Sequence, residues 1–403
     1  MPKVKIFTAT TIFVLLLTFF CTAADAATAG RRTVIDSRGV EVQVPVDVQR
    51  VITISDGLIE GVMTVLGVQH TLVGIGSKCL QDVDTYAYDV GDGQTLTLSG
   101  GVNTVTKLNP WMKDLPLVAD YGVAPNYETL ARLNPDVVIM RMGSCSLWLE
   151  DPTAMSDDEN ITKTVEMIHS LGFPLVVLYG PNMFATPDLF TISREINIIG
   201  RVFGREEKAA ALADFLEQQV QLVKERTSGI AEKDKPRVLY FGLSPEARKE
   251  GGAGNTIGLD SHESFIIENI VNARNAFNKP GSWKLISAEQ VLSINPDVII
   301  LPTDWGYHPP RELYASPYCR NLKDLKAVKE RRVASLGYTP CDCAKRLEYP
   351  IEAMIIAKTT YPGRFADIEL EPWLIDFYQK VYGVSRQTAY QLLSAQWLDW
   401  VRE

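Results

Sequence analysis

The chain has 403 residues, 46% of them hydrophobic and 22% charged, with a formal net charge of −9. That length is enough for about two domains with cores of their own, and the composition excludes a disordered or fibrous protein. A net acidic chain with no basic stretch is poorly suited to nucleic acid or anionic lipid, so neither is expected as a partner.

Lys3 and Lys5 precede an apolar run from Ile12 to Phe20, and Ala24-Asp25-Ala26 follows as a small-residue cleavage site. This is the layout of a secretory signal over residues 1–26, and the run is shorter than the ~20 residues a spanning helix needs. The expected product is a periplasmic or otherwise extracytoplasmic soluble protein whose charge is near −10, since two lysines and one aspartate leave with the signal. Cys21 is the alternative, as a lipid-bearing cysteine, although bulky Phe20 precedes it. Five cysteines remain, Cys79, Cys145, Cys319, Cys341 and Cys343. Export permits disulfides, and the odd count leaves at least one thiol unpaired within a monomer. A bridge between Cys79 and Cys145 is favoured over metal binding.

Strand candidates in the first half are Val51–Ile54, Thr71–Ile75, Val137–Met140 and Leu175–Leu178; in the second they are Arg237–Phe241, Val298–Leu301 and Arg332–Leu336. Residues 80–116, rich in Gly, Asp and Thr, show no clean helix or strand pair and read as an insertion in a first lobe spanning 27–185. A connecting segment over 186–230 opens with Thr186-Pro187, a cap with proline at the first helical position. Gly204 is expected to kink it, and an unbroken helix from Gly204 to Thr227 would be ~35 Å long. The second lobe covers 231–403.

Residues 128–139 read ETLARLNPDVVI and residues 289–300 read EQVLSINPDVII. Each describes a short helix stopped by proline, then a β-branched apolar run suited to a strand covered on both faces. Asn126 and the Ser287/Gln290 pair supply caps, placing Glu128 and Glu289 two positions inside their helices. The 161-residue offset is a domain repeat, so the fold class is α/β, with two similar lobes built on parallel sheets.

Ligands of open parallel sheets sit beyond the carboxyl ends of the strands. The candidate ligand-binding residues there are Ser77, Lys78, Tyr121, Arg141, Tyr179, Asp304, Trp305, Tyr307, Tyr338 and Arg346. Arginine forks and aromatic faces suit a flat, acidic metal chelate, which fills its own coordination sphere. No dense His or carboxylate cluster for a bare metal is visible, and no cofactor is expected. Gly252-Ala253-Gly254-Asn255-Thr256-Ile257-Gly258 lacks both the dinucleotide spacing and the P-loop ending, and no catalytic elbow or zinc helix is present, so an enzyme is not expected.

The opening VIDSRGVEVQVPVDVQRVITIS (residues 34–55), the paired Glu…Asn-Pro-Asp segments and the tail around Tyr361-Pro362 and Phe377-Tyr378 resemble the substrate-binding proteins of ATP-driven importers for iron–siderophore complexes, haem and cobalamin. The chain departs at Asn272-Ala273-Arg274-Asn275, where that family has a Gly-Gly-x-Asn turn. The resemblance implies a class III periplasmic binding protein, with two Rossmann-like lobes joined by a single long helix and acting as a monomer. It further implies that Glu128 and Glu289 dock onto the membrane subunits of an ABC importer, and that the ligand is a metal chelate, foremost a ferric siderophore. Cobalamin, haem and an oxyanion such as molybdate are the alternatives. A two-lobed metallocofactor enzyme, favoured only by the cysteines, and a surface adhesion or signalling module are the readings from other classes.

Overall fold

A computed structural model describes residues 30–120, 123–144, 147, 159–184, 186–243, 245–281, 284–302, 309–340 and 345–403. It opens with an antiparallel pair, β1 (Arg31–Ile35) and β2 (Glu41–Pro45). Asp36 at the turn accepts from the backbone N–H groups of Arg38 and Val40 and also from that of Val177, which ties the hairpin to the first lobe.

The first lobe holds β3 (Val51–Ile54), α1 (Leu58–Leu66), β4 (Leu72–Ile75), β5 (Asp84–Gly91), β6 (Gln94–Gly101), α2 (Tyr127–Leu133), β7 (Val137–Met142) and β8 (Leu175–Tyr179). Strands β4, β3, β7 and β8 form one parallel sheet in that order. Every residue of β3 and β7 is buried, as expected for β-branched runs covered on both faces.

Residues 80–116 correct the sequence reading. Strands β5 and β6 are a regular antiparallel hairpin. Its turn is Asp92-Gly93, both at positive φ (53° and 71°), the conformation a two-residue hairpin turn demands. Polar residues fill most of the hairpin, and the alternating Tyr86, Tyr88, Val90, Leu96 and Leu98 carry its apolar face. That period of two was hidden by the Gly, Asp and Thr around it.

Two helices follow, α3 (Thr191–Phe203) and α4 (Glu206–Thr227). Thr186-Pro187 does not start α3: Asp188 instead accepts from Phe190 N–H, and its carbonyl accepts from Thr191, a local turn that delays the helix. Gly204 does not kink one helix but ends α3 in the left-handed conformation, φ 62°. Helix α4, 22 residues and about 33 Å long, then runs to the second lobe.

That lobe contains β9 (Arg237–Gly242), β10 (Gly254–Thr256), β11 (Arg274–Asn275), β12 (Lys284–Ile286), α5 (Ala288–Ile294), β13 (Val298–Leu301) and β14 (Val333–Ser335). Strands β11, β9, β13 and β14 pair in parallel, and β10 adds an antiparallel connection between β9 and β12. Helices α6 (Tyr349–Thr360), α7 (Leu370–Tyr382) and α8 (Arg386–Ala395) close the chain. Two α/β lobes therefore flank α4. Their inner faces belong to one continuous apolar core running from Val51 and Ile139 through Ile196, Leu216 and Val220 to Val238 and Ile300.

Candidate functional site

The repeated segments show what their shared residues do. Asn134 and Asn295 end α2 and α5 in the left-handed conformation (φ 43° and 41°), which asparagine tolerates better than other non-glycine residues. Asp136 accepts from Gln49 N–H and Arg50 N–H at 2.8 Å each, and Asp297 accepts from Arg237 N–H at 2.8 Å. Arg50 donates to the carbonyls of Leu133 and Asn134, and Arg237 to those of Ile294 and Asn295. The same clamp thus seals each helix to the neighbouring strand and sets the angle of α2 and α5. Asn126 caps α2, and Ser287 with Gln290 forms a full capping box on α5. Glu128 and Glu289 stand exposed in these first turns. The Glu289 carboxyl is held below its ordinary range by its own N–H and by Ser287.

At the opposite ends of the sheets the lobes meet through a buried charged seam. Arg141, at the end of β7, is fully buried and grips Glu195 of α3 with Nε and Nη2 at 2.7 and 3.0 Å. Its Nη1 donates across the seam to Lys345 O at 2.8 Å and lies 3.7 Å from Asp56. Burial disfavours the guanidinium charge, but Glu195 outweighs it and keeps Arg141 charged. Arg346 crosses in the other direction, Nε to Asp56 O at 2.6 Å and Nη2 to Pro340 O at 2.7 Å. Lys345 Nζ is buried against Glu352 at 2.8 Å and Glu263 at 3.5 Å. Burial raises the Glu263 carboxyl, yet His262 and Lys345 bring it down to about 2. His262 also reaches the first lobe, with Nδ1 2.5 Å from Asn182 Oδ1. Glu60 is fully buried in the first turn of α1, and that burial pushes its carboxyl up from the ordinary range.

The sequence-derived candidates sort accordingly. Ser77 and Lys78 follow β4, where Ser77 is buried and accepts from Cys79 N–H while Lys78 is exposed. Cys79 is in a disulfide whose partner lies outside the described residues, whereas Cys319 is a buried free thiol. Arg141 and Arg346 lie in the seam, where Nε, Nη1 and Nη2 of Arg141 and Nε and Nη2 of Arg346 donate to protein acceptors. Tyr179 packs against the first-lobe core; burial raises its phenol, and Arg38 and Asp36 are its charged neighbours. Tyr338 follows β14 and is buried, 4.1 Å from the Trp397 ring centre, with its hydroxyl donating to Asp84. Tyr121, Asp304, Trp305 and Tyr307 lie outside the described residues, as do Cys145, Cys341, Cys343 and the signal segment.

Sequence reading missed Glu60, Glu195, Glu263 and Lys345. Two left a visible mark: Glu195 interrupts the apolar stripe of Ile192, Ile196 and Ile199, and Glu60 is the lone charge in LIEGVMTVL. A charge on an apolar stripe signals a buried partner. Among the described residues, no group of three or more His, Cys, Asp or Glu side chains is arranged to hold a metal ion.

A family match to periplasmic binding proteins covers residues 61–339, which take in α4 and most strands of both sheets. The chain belongs to the periplasmic binding protein family. An uncharacterized ABC transporter substrate-binding lipoprotein of Bacillus subtilis is 24% identical over 216 residues, 54% of this chain and 59% of that protein. A molybdate-binding protein of Haemophilus influenzae is 23% identical over 287 residues, 69% of this chain and 76% of that one. The chain therefore matches under two thirds of the length of the Bacillus relative. A periplasmic solute binding protein from Veillonella parvula, solved by crystallography, superposes with a TM-score of 0.66 at 20% identity, covering 92% of this chain and 98% of that one. This family member has, among its described residues, no helix long and apolar enough to cross a membrane.

Proposed function

We propose that this chain is the extracytoplasmic substrate-binding protein of an ABC importer, not an enzyme. It captures a small acidic ligand between its lobes and delivers it by docking Glu128 and Glu289 onto the membrane subunits. The observation that carries this reading is the matched pair of clamps. Both hold an exposed glutamate in the first turn of an equivalent helix, one on each lobe, as a two-fold receiver requires. Carboxylates fixed in that way can each meet an arginine in two-pronged fashion.

The ligand in this reading is a metal chelate, foremost a ferric siderophore, held by Lys78 and the aromatic and polar residues of the strand-end loops. A small oxyanion is the second reading. It is favoured by the inward commitment of Arg141 and Arg346, whose donors end on Glu195, Lys345 O, Asp56 O and Pro340 O, and by the molybdate-binding relative. Native mass spectrometry of freshly purified protein, then a thermal-shift panel of ferric siderophores, haem, cobalamin and molybdate, tests both. A chelate raising the melting temperature in proportion to the logarithm of its concentration supports the first reading. A response to molybdate alone supports the second, and no response across the panel removes the ligand assignment.

A further inference from the structure

The inserted hairpin β5–β6 leaves the first lobe just after β4, an edge strand of its sheet. It then lies against the helix Pro310–Ala315, which precedes the edge strand β14 of the second lobe's sheet, and against α8. Tyr86 Oη donates to the buried Glu312 carboxylate at 2.7 and 2.9 Å, and Ser316 Oγ donates to Asp89 O. Tyr338 donates to Asp84, and Trp397 Nε1 donates to Ser99 O at 3.2 Å. Tyr86, Tyr88, Tyr338 and Trp397 form a separate buried aromatic cluster between the hairpin and the chain beyond β14. A Cβ added at Gly101 would lie 2.4 Å from the Trp397 ring, so the strand end and the indole are in close contact. The opposite flank, beyond β8, is joined differently: Asn182 hydrogen-bonds His262, with no comparable apolar cluster among the described residues.

We propose that the β5–β6 hairpin is an inter-lobe strap that makes its own flank the fixed side of the cleft, so that the lobes part on the Asn182–His262 flank. The strap couples lobes through apolar area and a charge-assisted hydrogen bond, both removed from water, whereas on the other flank the described residues join through the polar Asn182–His262 contact. Opening then has a direction, and a ligand enters and leaves past Asn182 and His262. The direction rests on the receptor reading; the inequality of the two flanks does not.

Hydrogen exchange with mass spectrometry on the ligand-free full chain provides the test. In the wild type, amides of β5 and β6 exchange as slowly as those of the helix Pro310–Ala315 that carries Glu312. Tyr86→Phe removes one hydroxyl and leaves the Glu312 carboxylate buried without that donor, so both segments speed up together by about tenfold or more. Peptides around Asn182 and His262 do not change. Gly101→Ala, acting through Trp397, gives the same signature, and His262→Ala gives the reverse one. Hairpin amides that exchange at loop rates in the wild type would overturn the strap, as would Tyr86→Phe and His262→Ala loosening the same peptides. Because no ligand is present, neither result depends on what the protein binds.

Discussion

At the scale of single residues, the seam between the lobes is dominated by charges that have left water. Arg141 and Glu195 illustrate the consequence. Their own attraction is largely offset by desolvation, but removing one partner strands the other. Glu195→Ala therefore lowers unfolding stability by about 3–5 kcal/mol in a denaturant titration, whereas Arg141→Met combined with Glu195→Leu costs far less. Glu263 supplies a pH test. Its carboxyl, at about 2, lies below the ordinary 4.5, so the stabilisation it gives is complete above 4.5 and is lost as pH falls toward 2. In Glu263→Gln the fall in stability across that window is shallower, as followed by thermal melts from pH 6 to 2. Glu60 acts with the opposite sign: burial raises its carboxyl, so its effect on the fold becomes unfavourable as pH rises above its unfolded value.

At the scale of elements, the duplicated helix–clamp–strand unit was legible before any coordinates, because three independent signals agree within a dozen residues. The cap, the Asn-Pro-Asp stop and the β-branched run each name the same boundary. What the sequence did not reveal is that Asp136 and Asp297 belong to the neighbouring strand as much as to their own helix, since that contact joins residues 86 or 87 apart in one lobe and 60 apart in the other. Asp136→Ala removes the acceptor of two backbone N–H groups and lowers stability by about 1–3 kcal/mol, measurable as a shift in denaturant midpoint. The hairpin at 84–101 was unreadable for the complementary reason. Its apolar alternation is carried by five side chains, and their partners Tyr338 and Trp397 lie more than 200 residues downstream. Of the candidate site, the strand-end positions of Ser77, Lys78, Arg141 and Tyr338 were legible from the strand pattern. The direction each side chain takes was not, because Glu195, Asp84 and Trp397 are distant in the chain.

At the scale of the whole molecule, the two exposed glutamates stand on the helices that lead into β7 and β13, whereas Arg141 of the seam lies at the far end of β7. Glu128→Ala with Glu289→Ala removes the two carboxylates proposed to dock, without touching the strand-end loops. Uptake in a strain dependent on this protein falls sharply, while ligand affinity measured by calorimetric titration stays within about threefold. A large loss of affinity would instead place the two carboxylates at the ligand.

The apolar core that passes beneath the seam ties the fates of the halves together. Val51 and Ile139 on one side and Val238 and Ile300 on the other are parts of a single packed body, with α3 and α4 between them. Each half keeps a smaller apolar cluster of its own, but the faces turned toward α3 and α4 belong to the shared body. In a scanning calorimeter the molecule melts in one peak, with the van't Hoff and measured enthalpies equal. Fragments cut within α4 and expressed separately are insoluble, each with a bare greasy flank where its twin belongs.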